Sequence, residues 1–517
     1  MTPLASSLEQ EAKFETEVGG GLPDLRTVVG GVVRLPGQSL RTAYFDTADF
    51  RLWQRRLTLR HRLGEETDTG TWTLKLPEAP GGAVLSRTEL TWPGPREPVP
   101  DEVTRVLKGV VRRSPLVPIA ELASERVRFG LFDAKGRPLG EIDDDTVTVV
   151  GGRRDGFRFR EVEVEFEGAP ARVVEGVLRK FRKAGARSGR EPKLARALDL
   201  PPPGRRKALG PKALLGEVVQ ASLADALDRI LDHDYRLRVD PSDLQPEDVH
   251  QARVATRRLR SDLKSFGSIL DPVWLGHTRA ELKWLGERLG RVRDRDVLAG
   301  HLERDLGTGA AAGASELLAG LFKQRRQAAR ELDEALESDR YLTLLDRLDA
   351  GSQLPPFYPV AAGQEPSRSR HRKRSRHPHP DDRARAAVPA LVGSRWRGLR
   401  KRVRQAGRHP SDTELHRIRI GAKQLRYAAE AATPVVGRSA ARTARRAERL
   451  QTVLGDHHDA VTAEAWLREQ AAQGTRAASF AAGILAAGQI RRQRQLRRRW
   501  RATWRSLDQS KARAWLG

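Results

Sequence analysis

The sequence contains no cysteine and a single methionine among its 517 residues. Without thiols the chain has no disulfide framework, no thiolate nucleophile and no zinc–thiolate centre. The absence of cysteine agrees with a reducing compartment, so we expect a cytoplasmic protein. Aromatic residues make up only 5% of the chain, which disfavours a surface that binds nucleic acid by stacking bases on aromatic rings.

Long apolar runs are also lacking. No run approaches the roughly 20 apolar residues that a membrane-spanning helix needs, and the best candidate, residues 480–487, is far too short. The first 14 residues contain no apolar core of the kind found in signal peptides. We therefore expect no membrane partner.

The chain instead carries a large surplus of positive charge. Its formal net charge is +27, of which residues 1–200 contribute +3 and the remainder +24. A general bias toward arginine is the simpler explanation of the surplus. Its confinement to one part of the chain favours a polyanion as partner, either nucleic acid, polyphosphate or anionic lipid.

Two parts are distinguished by the period of their hydrophobic pattern. Residues 1–200 alternate with period two, as in 57–62, 71–76 and 161–166, and predict strands with short helices at 101–111 and 171–184. Residues 201–213 form a proline-rich, basic linker. Residues 214–510 have a helical period. The predicted fold class is therefore an α+β chain of two parts, with an all-α second part.

The helical part contains an internal repeat. The stripe residues are His250, Arg253, Arg257 and Arg260 in the first copy, and His416, Arg419, Lys423 and Arg426 in the second. This spacing places each set on one narrow side of a helix, over about 15 Å. The motif Leu289-Gly290-x-x-x-Asp294 returns as Leu454-Gly455-x-x-x-Asp459 at nearly the same offset. Both motifs predict a duplicated four-helix unit, with repeats at 214–350 and 384–510 and a disordered basic loop at 351–383.

The stripes are predicted to face outward and to bind an extended polyanion. A metal at His250 or His416 is the alternative, which the surrounding cations disfavour. The loop histidines His371, His377 and His379 lack carboxylate support, so a solvated linker is the preferred interpretation there. Nucleic acid remains a weaker candidate partner, because phosphate contacts do not depend on sequence.

Charged residues in the first part recur at every second position of the strands. The sets are Glu9/Glu11/Lys13, Arg60/Arg62, Arg87/Glu89, Arg126/Arg128, Asp143/Asp145 and Glu161/Glu163/Glu165. Charges that face solvent explain any single strand. The segregation of carboxylate-rich from arginine-rich strands favours a barrel whose charged faces point inward. Carboxylates suit Mg²⁺ or Mn²⁺ and arginines suit phosphate oxygens, so the combination indicates phosphoryl transfer.

These strand motifs resemble the CYTH family, the triphosphate tunnel metalloenzymes. The run Glu9-Gln10-Glu11-Ala12-Lys13 is similar to the family's E-x-E-x-K signature, and segments 44–47, 59–62, 72–75, 87–89 and 161–165 follow in the family's order. The resemblance implies an eight-stranded antiparallel β tunnel barrel with flanking helices. It also implies hydrolysis of a triphosphate with Mg²⁺ or Mn²⁺, with tripolyphosphate as the preferred substrate and pyrophosphate and phosphate as products.

The same resemblance implies roles for individual residues. The expected metal ligands are Glu9, Glu11, Asp145, Glu163 and Glu165. The expected catalytic residues are Lys13 and Glu89. The expected phosphate-binding residues are Lys13, Arg60, Arg62, Lys75, Arg87, Arg126, Arg128 and Lys193. The run of glutamates also permits a shift by two positions, which would make Glu161 and Glu163 the ligating pair.

The helical part resembles the CHAD domain through segments 249–260, 285–297, 416–427 and 454–461. The resemblance implies duplicated four-helix bundles that bind inorganic polyphosphate through the eight stripe residues, and an association with polyphosphate granules. Three functions stay open: a triphosphatase, a non-catalytic polyphosphate sensor or scaffold, and an ATP cyclase, for which no base pocket is identified. The glutamate pairs favour the enzyme, because a simple anion binder gains nothing from carboxylates beside the anion.

Overall fold

The computed structural model describes residues 5–17, 20–63, 69–77, 85–189, 191–204, 208–305, 311–358 and 378–516. The chain divides into two compact units, Met1–Arg206 and Lys207–Gly517. The first unit is built on an antiparallel sheet and the second is helical.

The first unit contains nine strands and four α-helices among its described residues. The strands are β1 (Ala5–Thr16), β2 (Gly31–Asp46), β3 (Thr58–Leu63), β4 (Thr71–Lys75), β5 (Leu85–Pro93), β6 (Val117–Phe132), β7 (Pro138–Val150), β8 (Arg158–Phe166) and β9 (Arg187–Ser188). The helices are α1 (Arg51–Gln54), α2 (Asp101–Val111), α3 (Ala171–Lys183) and α4 (Lys193–Leu198). The strand and helix segments expected from the sequence therefore lie where the period-two and helical patterns indicate.

The strands form one antiparallel sheet in the order β5-β4-β3-β2-β6-β7-β8-β1-β9, and β5 also pairs with β1. Strand β1 makes both contacts because it pairs with β5 along Ala5–Glu11 and with β8 along Glu11–Thr16. Each of the eight long strands is therefore hydrogen-bonded to two others. The ninth strand is a two-residue addition beside β1.

The two faces of the sheet differ because alternate residues of a strand point to opposite sides. Ala12, Phe14, Val162 and Val164 occupy one face, and helix α3 covers them. Phe14 stacks on Phe181 of that helix with ring centroids 4.3 Å apart. The opposite face carries the charged residues of β1, β7 and β8. Six of those that the structure describes are also buried, namely Glu11, Lys13, Asp143, Asp145, Glu161 and Glu163.

The face that carries the charges becomes apolar toward one end. Leu122, Val147, Val149 and Phe159 continue the same alternation as Arg126, Asp145 and Glu161, and they pack against Leu194 and Ala197 of α4. Helix α4 thus closes off this end of the charged face with an apolar cluster. Its first residue, Lys193, reaches from there toward the carboxylates.

The second unit contains ten α-helices within the described ranges. The first repeat consists of α5 (Leu215–Val239), α6 (Pro246–Phe266), α7 (Pro272–Asp305), α8 (Ala311–Glu337) and α9 (Asp339–Gln353). The second consists of α10 (Ala384–Gln405), α11 (Asp412–Val436), α12 (Arg438–Gln473) and α13 (Arg476–Leu507), followed by α14 (Ser510–Arg513). One continuous core runs through both repeats rather than one core for each.

The first repeat differs from the expected four helices. The helical period runs without interruption through 314–348, which predicts a single helix there. In the structure this segment is divided at Ser338, whose hydroxyl accepts a hydrogen bond from the Tyr341 amide at the start of a new helix. Serine is a favoured N-cap because its oxygen satisfies an amide that has no partner within the helix. The apolar period continues across the break, and for this reason the sequence pattern did not reveal it.

The predicted disordered loop, 351–383, is ordered at both of its described ends. Helix α9 continues to Gln353, Phe357 pairs with Leu270, and Arg383 pairs with Leu214. His371 and His377 lie outside the described residues. Among the helices that are described, none combines the length and apolar character needed to cross a membrane.

Candidate functional site

Lysines and carboxylates from three strands and helix α4 meet inside the first unit. Lys193 Nζ lies 2.6 Å from Asp145 Oδ2 and 3.0 Å from Glu163 Oε2. Lys13, which faces Glu163 in the β1–β8 register, forms a close ion pair with that glutamate. Arg126 donates hydrogen bonds to both carboxylate oxygens of Asp145, at 2.7 and 2.8 Å. All five side chains are buried, so these pairs form in a medium that strengthens them.

The cluster shifts the pKa values of its members in opposite directions. Burial raises the pKa of a carboxyl group, but Lys13, Lys193 and Lys75 outweigh burial at Glu163 and hold its pKa well below the ordinary value. The pKa of Asp145 is likewise lowered, because Lys193 and Arg126 outweigh the effect of burial. Burial alone would lower the pKa of Lys13, yet Glu163, Glu11 and Glu161 raise it. The two lysines and these two carboxylates are therefore fully charged.

Glu161 and Glu11 have a different environment. Glu161 is fully buried, and its nearest cations are Lys193 at 3.6 Å and Arg196 at 3.7 Å. Burial raises its pKa to about 7, against the opposing effects of Lys193 and Lys13. Lys13 Nζ lies 3.3 Å from Glu11 Oε1 and 4.0 Å from Glu161 Oε1, but no oxygen of either carboxylate accepts a hydrogen bond of good geometry from a described residue. Such atoms are costly to bury unless another partner satisfies them.

A divalent cation is a chemically suitable partner for these carboxylate oxygens. Mg²⁺ and Mn²⁺ bind oxygen ligands, and carboxylates in particular. The described side chains do not by themselves bring three carboxylate or imidazole groups into one metal-binding cluster. The side chain of Glu9, two positions before Glu11 on the same strand, lies outside the described part of the structure, as does that of Arg87. Glu165 is only half-buried and lies opposite Glu11 in the β1–β8 register.

Cations from the opposite strands complete the interior. Arg62 is half-buried, and burial together with Arg60 and Arg126 lowers its pKa to about 10. Lys75 forms an ion pair with Glu89 and also acts electrostatically on Glu163. The arginine-bearing strand β3 and the carboxylate-bearing strand β8 therefore contribute to a single charged interior.

One predicted phosphate-binding residue lies toward the edge of the site, and two further residues join it. Arg128 binds Glu141 at a more exposed position than Arg126, with 27% of its side chain exposed. Asp143, which the sequence placed on the inward face without a role, is buried beside Arg126, and burial raises its pKa to about 7. Arg196 was not expected, and only the packing of α4 places it near Glu161.

In the second unit the two stripes lie close together and are not fully open to solvent. All eight stripe residues are half-buried. Burial, then Arg257, Arg419, Arg253 and Arg260, lower the pKa of Lys423 to about 7. Because three of these arginines belong to α6, the stripes of α6 and α11 face a common region. The stripes are therefore only partly exposed, and together they form one cationic region, called here the cationic groove, where the two repeats meet.

The Leu-Gly-x-x-x-Asp motif supports an arginine of each stripe. A Cβ atom added at Gly290 of α7 would lie 3.5 Å from the Arg253 guanidinium, so the glycine leaves room for that group. Asp294 lies 3.4 Å from the same guanidinium. In the second repeat Gly455 lies equally close to Arg419, at 3.6 Å. Asp459 acts on Arg419 electrostatically. The two repeated motifs are thus parts of one arrangement, in which a glycine admits the guanidinium and an aspartate attracts it.

The histidines of the stripes differ between the copies. His416 Nδ1 lies 3.3 Å from Nδ1 of His458, and burial followed by Arg419 and His416 lowers the pKa of His458 to about 4. At His250, burial followed by the charge of Arg293 lowers the pKa as well. In the sequence His458 received no role. Its contact with His416 depends on the packing of α11 against α12.

Comparison with known proteins agrees with this arrangement. Residues 9–197 match the CYTH domain model and residues 221–468 match the CHAD domain model. The chain belongs to the proteins that carry a CYTH domain followed by a CHAD domain. An uncharacterised protein of Mycobacterium tuberculosis, Rv2226, is 31% identical over 551 aligned positions, which cover 99% of this chain and 98% of that protein.

Two solved structures are similar to single parts of the chain. The CHAD domain from the plant Ricinus communis is 28% identical and covers 59% of this chain and 96% of its own, with a TM-score of 0.45. HpAC1 from Hippeastrum, described by its dominant triphosphatase activity, is 16% identical and covers 38% of this chain and 100% of its own, with a TM-score of 0.27. Likenesses of this size say nothing about the activity of this chain.

Proposed function

We propose that the first unit is a divalent-metal-dependent triphosphatase that converts tripolyphosphate to pyrophosphate and phosphate, and that the second unit binds inorganic polyphosphate. The observation that supports the first part most strongly is the buried interior that combines arginines and lysines with unsatisfied carboxylates. Members of the CYTH family are triphosphatases or cyclases. No base-binding pocket that would favour a cyclase emerges from the charged interior described above.

In this proposal the interior residues divide into two groups. Arg60, Arg62 and Lys75 hold the phosphates, because guanidinium and ammonium groups neutralise phosphate oxygens. Glu11, Glu161 and Glu9 would hold Mg²⁺ or Mn²⁺, which when bound neutralises phosphate charge and lowers the pKa of water. Asp145 and Glu163 are already bound by cations, so we assign them first to positioning Lys13, Lys193 and Arg126. The buried members of the set exclude bulk water, and this strengthens each of their charges; they are Glu11, Lys13, Lys75, Arg126, Asp145, Glu161, Glu163 and Lys193.

The test is phosphate release by the purified chain from tripolyphosphate, ATP and long-chain polyphosphate, with Mg²⁺ or Mn²⁺. We expect the wild type to hydrolyse tripolyphosphate. In Glu11→Gln and in Glu161→Gln the turnover rate should fall by at least about a hundredfold, because removal of one charged transition-state contact costs this much in comparable sites. Asp144→Asn is the matched control. Asp144 lies between two site residues on β7 but pairs with Arg160 at 2.7 Å. Equal loss in the control would remove the assignment of Glu11 and Glu161.

A non-catalytic sensor or scaffold is the second candidate. Two observations favour it. The described carboxylates include no three-ligand metal cluster, and protein cations already neutralise Asp145 and Glu163. Tight tripolyphosphate binding without release of phosphate under any metal would support this candidate. Turnover that Glu11→Gln abolishes would reject it.

The polyphosphate proposal for the second unit is supported by the cationic groove between α6 and α11. Binding that depends on many phosphate contacts weakens steeply with salt. We expect long-chain polyphosphate to bind the full chain, to be displaced by salt and to be unaffected by Glu11→Gln. Reversal of charge in Arg257→Glu with Lys423→Glu should abolish binding, and unchanged binding would refute the assignment. We further propose a cytoplasmic location with polyphosphate granules as the site of association, testable by fluorescence microscopy of the tagged chain.

A further inference from the structure

The two stripes end differently, although they begin alike. Lys264 follows Arg260 by four residues and so continues the first stripe by roughly one helical turn. The position 166 residues later is Glu430, at the corresponding end of the second stripe. The repeat therefore has a cation in one copy and a carboxylate in the other at its fifth position.

Glu430 neutralises the end of the second stripe. It accepts a hydrogen bond from Arg426 at 2.7 Å and lies 3.2 Å from Arg258 of α6. Arg426 is also 2.9 Å from Glu448 of α12. Arg426 is thus held by two carboxylates, which compete with any incoming anion for its guanidinium.

The end of the first stripe has the opposite environment. The cations near Lys264 are Arg279 of α7 and Arg395 and Arg402 of α10. Arg395 ties α10 to this end of α6, because its Nη2 donates to the carbonyl oxygen of Lys264 at 2.5 Å. Arg402 lies close enough to act electrostatically on both Lys264 and Arg395. Three helices therefore bring their cations together here.

Most of these cations have no carboxylate partner. In the described part of the chain Lys264, Arg279, Arg395 and Arg402 form no ion pair with a carboxylate, and Arg260 is influenced by Glu287 without a direct ion pair. Burial followed by Arg279 and Arg402 lowers the pKa of Arg395, which reflects the mutual repulsion of the group. The Nε donors of Arg279 and Arg395 are buried without a hydrogen-bond acceptor. Such a group is destabilising by itself, and an anion would relieve both the repulsion and the lack of acceptors.

We propose that the polyphosphate path on the helical unit is one-sided: beyond the groove between the stripes it continues over Arg260, Lys264, Arg279, Arg395 and Arg402, and it stops at Glu430 and Glu448. This inference rests on the proposed polyphosphate binding and adds a second contact region to it. A short anion fits within the groove alone, whereas a long chain reaches both regions. The second region therefore adds affinity only for chains that are long enough to reach it.

The test compares labelled long-chain polyphosphate with tripolyphosphate on the full chain. Arg279→Gln with Arg395→Gln should weaken long-chain binding by about tenfold at low salt and lower the slope of log K against log salt by about two, one for each lost phosphate contact. Tripolyphosphate binding in the helical groove should not change. The matched control is Arg229→Gln with Arg445→Gln, two exposed arginines of the same unit.

The outcomes separate this inference from the function on which it rests. If the wild type binds no polyphosphate, or if Arg257→Gln with Lys423→Gln has no effect, the proposed function itself fails. If those substitutions abolish binding but Arg279→Gln with Arg395→Gln behaves like the control, only the one-sided path is overturned. Single-stranded DNA that competes equally with polyphosphate at this region would also overturn it.

A second variant tests whether the polyphosphate path ends at Glu430. Glu430→Gln should tighten long-chain binding several-fold, because Arg426 loses a competing carboxylate. Unchanged or weaker binding, in a variant whose thermal unfolding matches the wild type, would contradict the role of Glu430. Glu414→Gln is a suitable control, because Glu414 is a capping carboxylate at the other end of α11.

Discussion

Glu161 and Glu163 are two positions apart on one face of β8, yet they differ strongly in charge state. Lys13 and Lys193 lie close to Glu163 and keep it ionised, whereas the nearest cations to Glu161 are more than 3.5 Å away, at 3.6 and 3.7 Å. Burial then dominates at Glu161 and raises its pKa to about 7. The difference gives one strand a permanent anion and a carboxyl group that titrates near neutrality.

The first prediction concerns the cost of ionising Glu161. Its folded pKa is raised, so the folded state binds a proton that the unfolded state has lost, and stability falls as pH rises from about 4.5 to 7. Glu161→Gln should therefore stabilise the metal-free chain at pH 8, by up to about 3 kcal/mol, and change it little at pH 4.5. Thermal unfolding with a chelator at both pH values measures this. An equal change at the two values would contradict the prediction.

Lys423 provides the second prediction. The groups that face it are Arg253, Arg257 and Arg260 from α6 and Arg419 from its own helix, with Asp294 and Asp459 behind the arginines. Its pKa is lowered to about 7, so at pH 8 the empty groove holds a mostly neutral Lys423. Polyphosphate favours the charged form, and binding at pH 8 should take up close to one proton.

The measurement is calorimetric titration in buffers of different ionisation enthalpy. Lys423→Arg is the matched control, since arginine stays charged and its variant should bind without proton uptake. His416 and His458 also have lowered pKa values and add uptake at lower pH, which is why pH 8 is chosen. Equal uptake by the wild type and Lys423→Arg would assign the proton to another group.

At the level of helices, the packing of α6 on α7 and of α11 on α12 sets the stripe arginines in place. Gly290 and Gly455 do this by leaving space for a guanidinium, and Asp294 adds an ion pair to Arg253. An alanine at Gly290 would meet Arg253 at ordinary van der Waals distance, 3.5 Å, so the space suits a methyl group but not a longer side chain.

The third prediction follows from that distance. Gly290→Ala should leave polyphosphate affinity unchanged and raise helical stability by up to about 1 kcal/mol, because glycine is unfavourable inside a helix. Gly290→Leu should weaken polyphosphate binding several-fold, since its side chain takes the place of the Arg253 guanidinium. Affinity and thermal unfolding are measured together. If Gly290→Leu bound like Gly290→Ala, the position of Arg253 would not matter for binding.

Across the whole chain, the sheet unit and the helical unit have separate cores, and their charge differs, with most of the surplus in the second unit. The sheet unit buries Lys13, Arg126 and Lys193 against carboxylates, whereas the described part of the helical unit contains cations, such as Lys264 and Arg395, that form no ion pair with a carboxylate. Buried pairs are screened little by salt, while partly exposed cations are screened strongly.

The fourth prediction uses this difference. Fragments 1–204 and 208–517 should each fold, the first with tripolyphosphate hydrolysis and the second with polyphosphate binding. Raising salt should weaken binding by the second fragment steeply and change the affinity of the first fragment much less. Circular dichroism and calorimetry check folding, and both activities are titrated with salt. A first fragment that does not fold would show that the boundary near 204 is wrong.

The sequence by itself determined the features that depend on local order. Period-two charges on β1, β7 and β8 indicated one charged strand face, and two motifs at nearly one offset indicated the duplication. Both follow from the fixed geometry of strands and helices, in which spacing alone decides which residues share a side. The family resemblance rested on the same spacings.

Only the tertiary structure decided which charges meet. Whether Glu161 or Glu163 is bound by lysines depends on where α4 places Lys193, and no spacing within β8 contains that information. The convergence of the two stripes, and the difference between Lys264 and Glu430, depend on helices far apart in the sequence. The physical reason is that a charge interacts with whatever lies within a few ångströms in space, whereas a sequence pattern reports only neighbours along the chain.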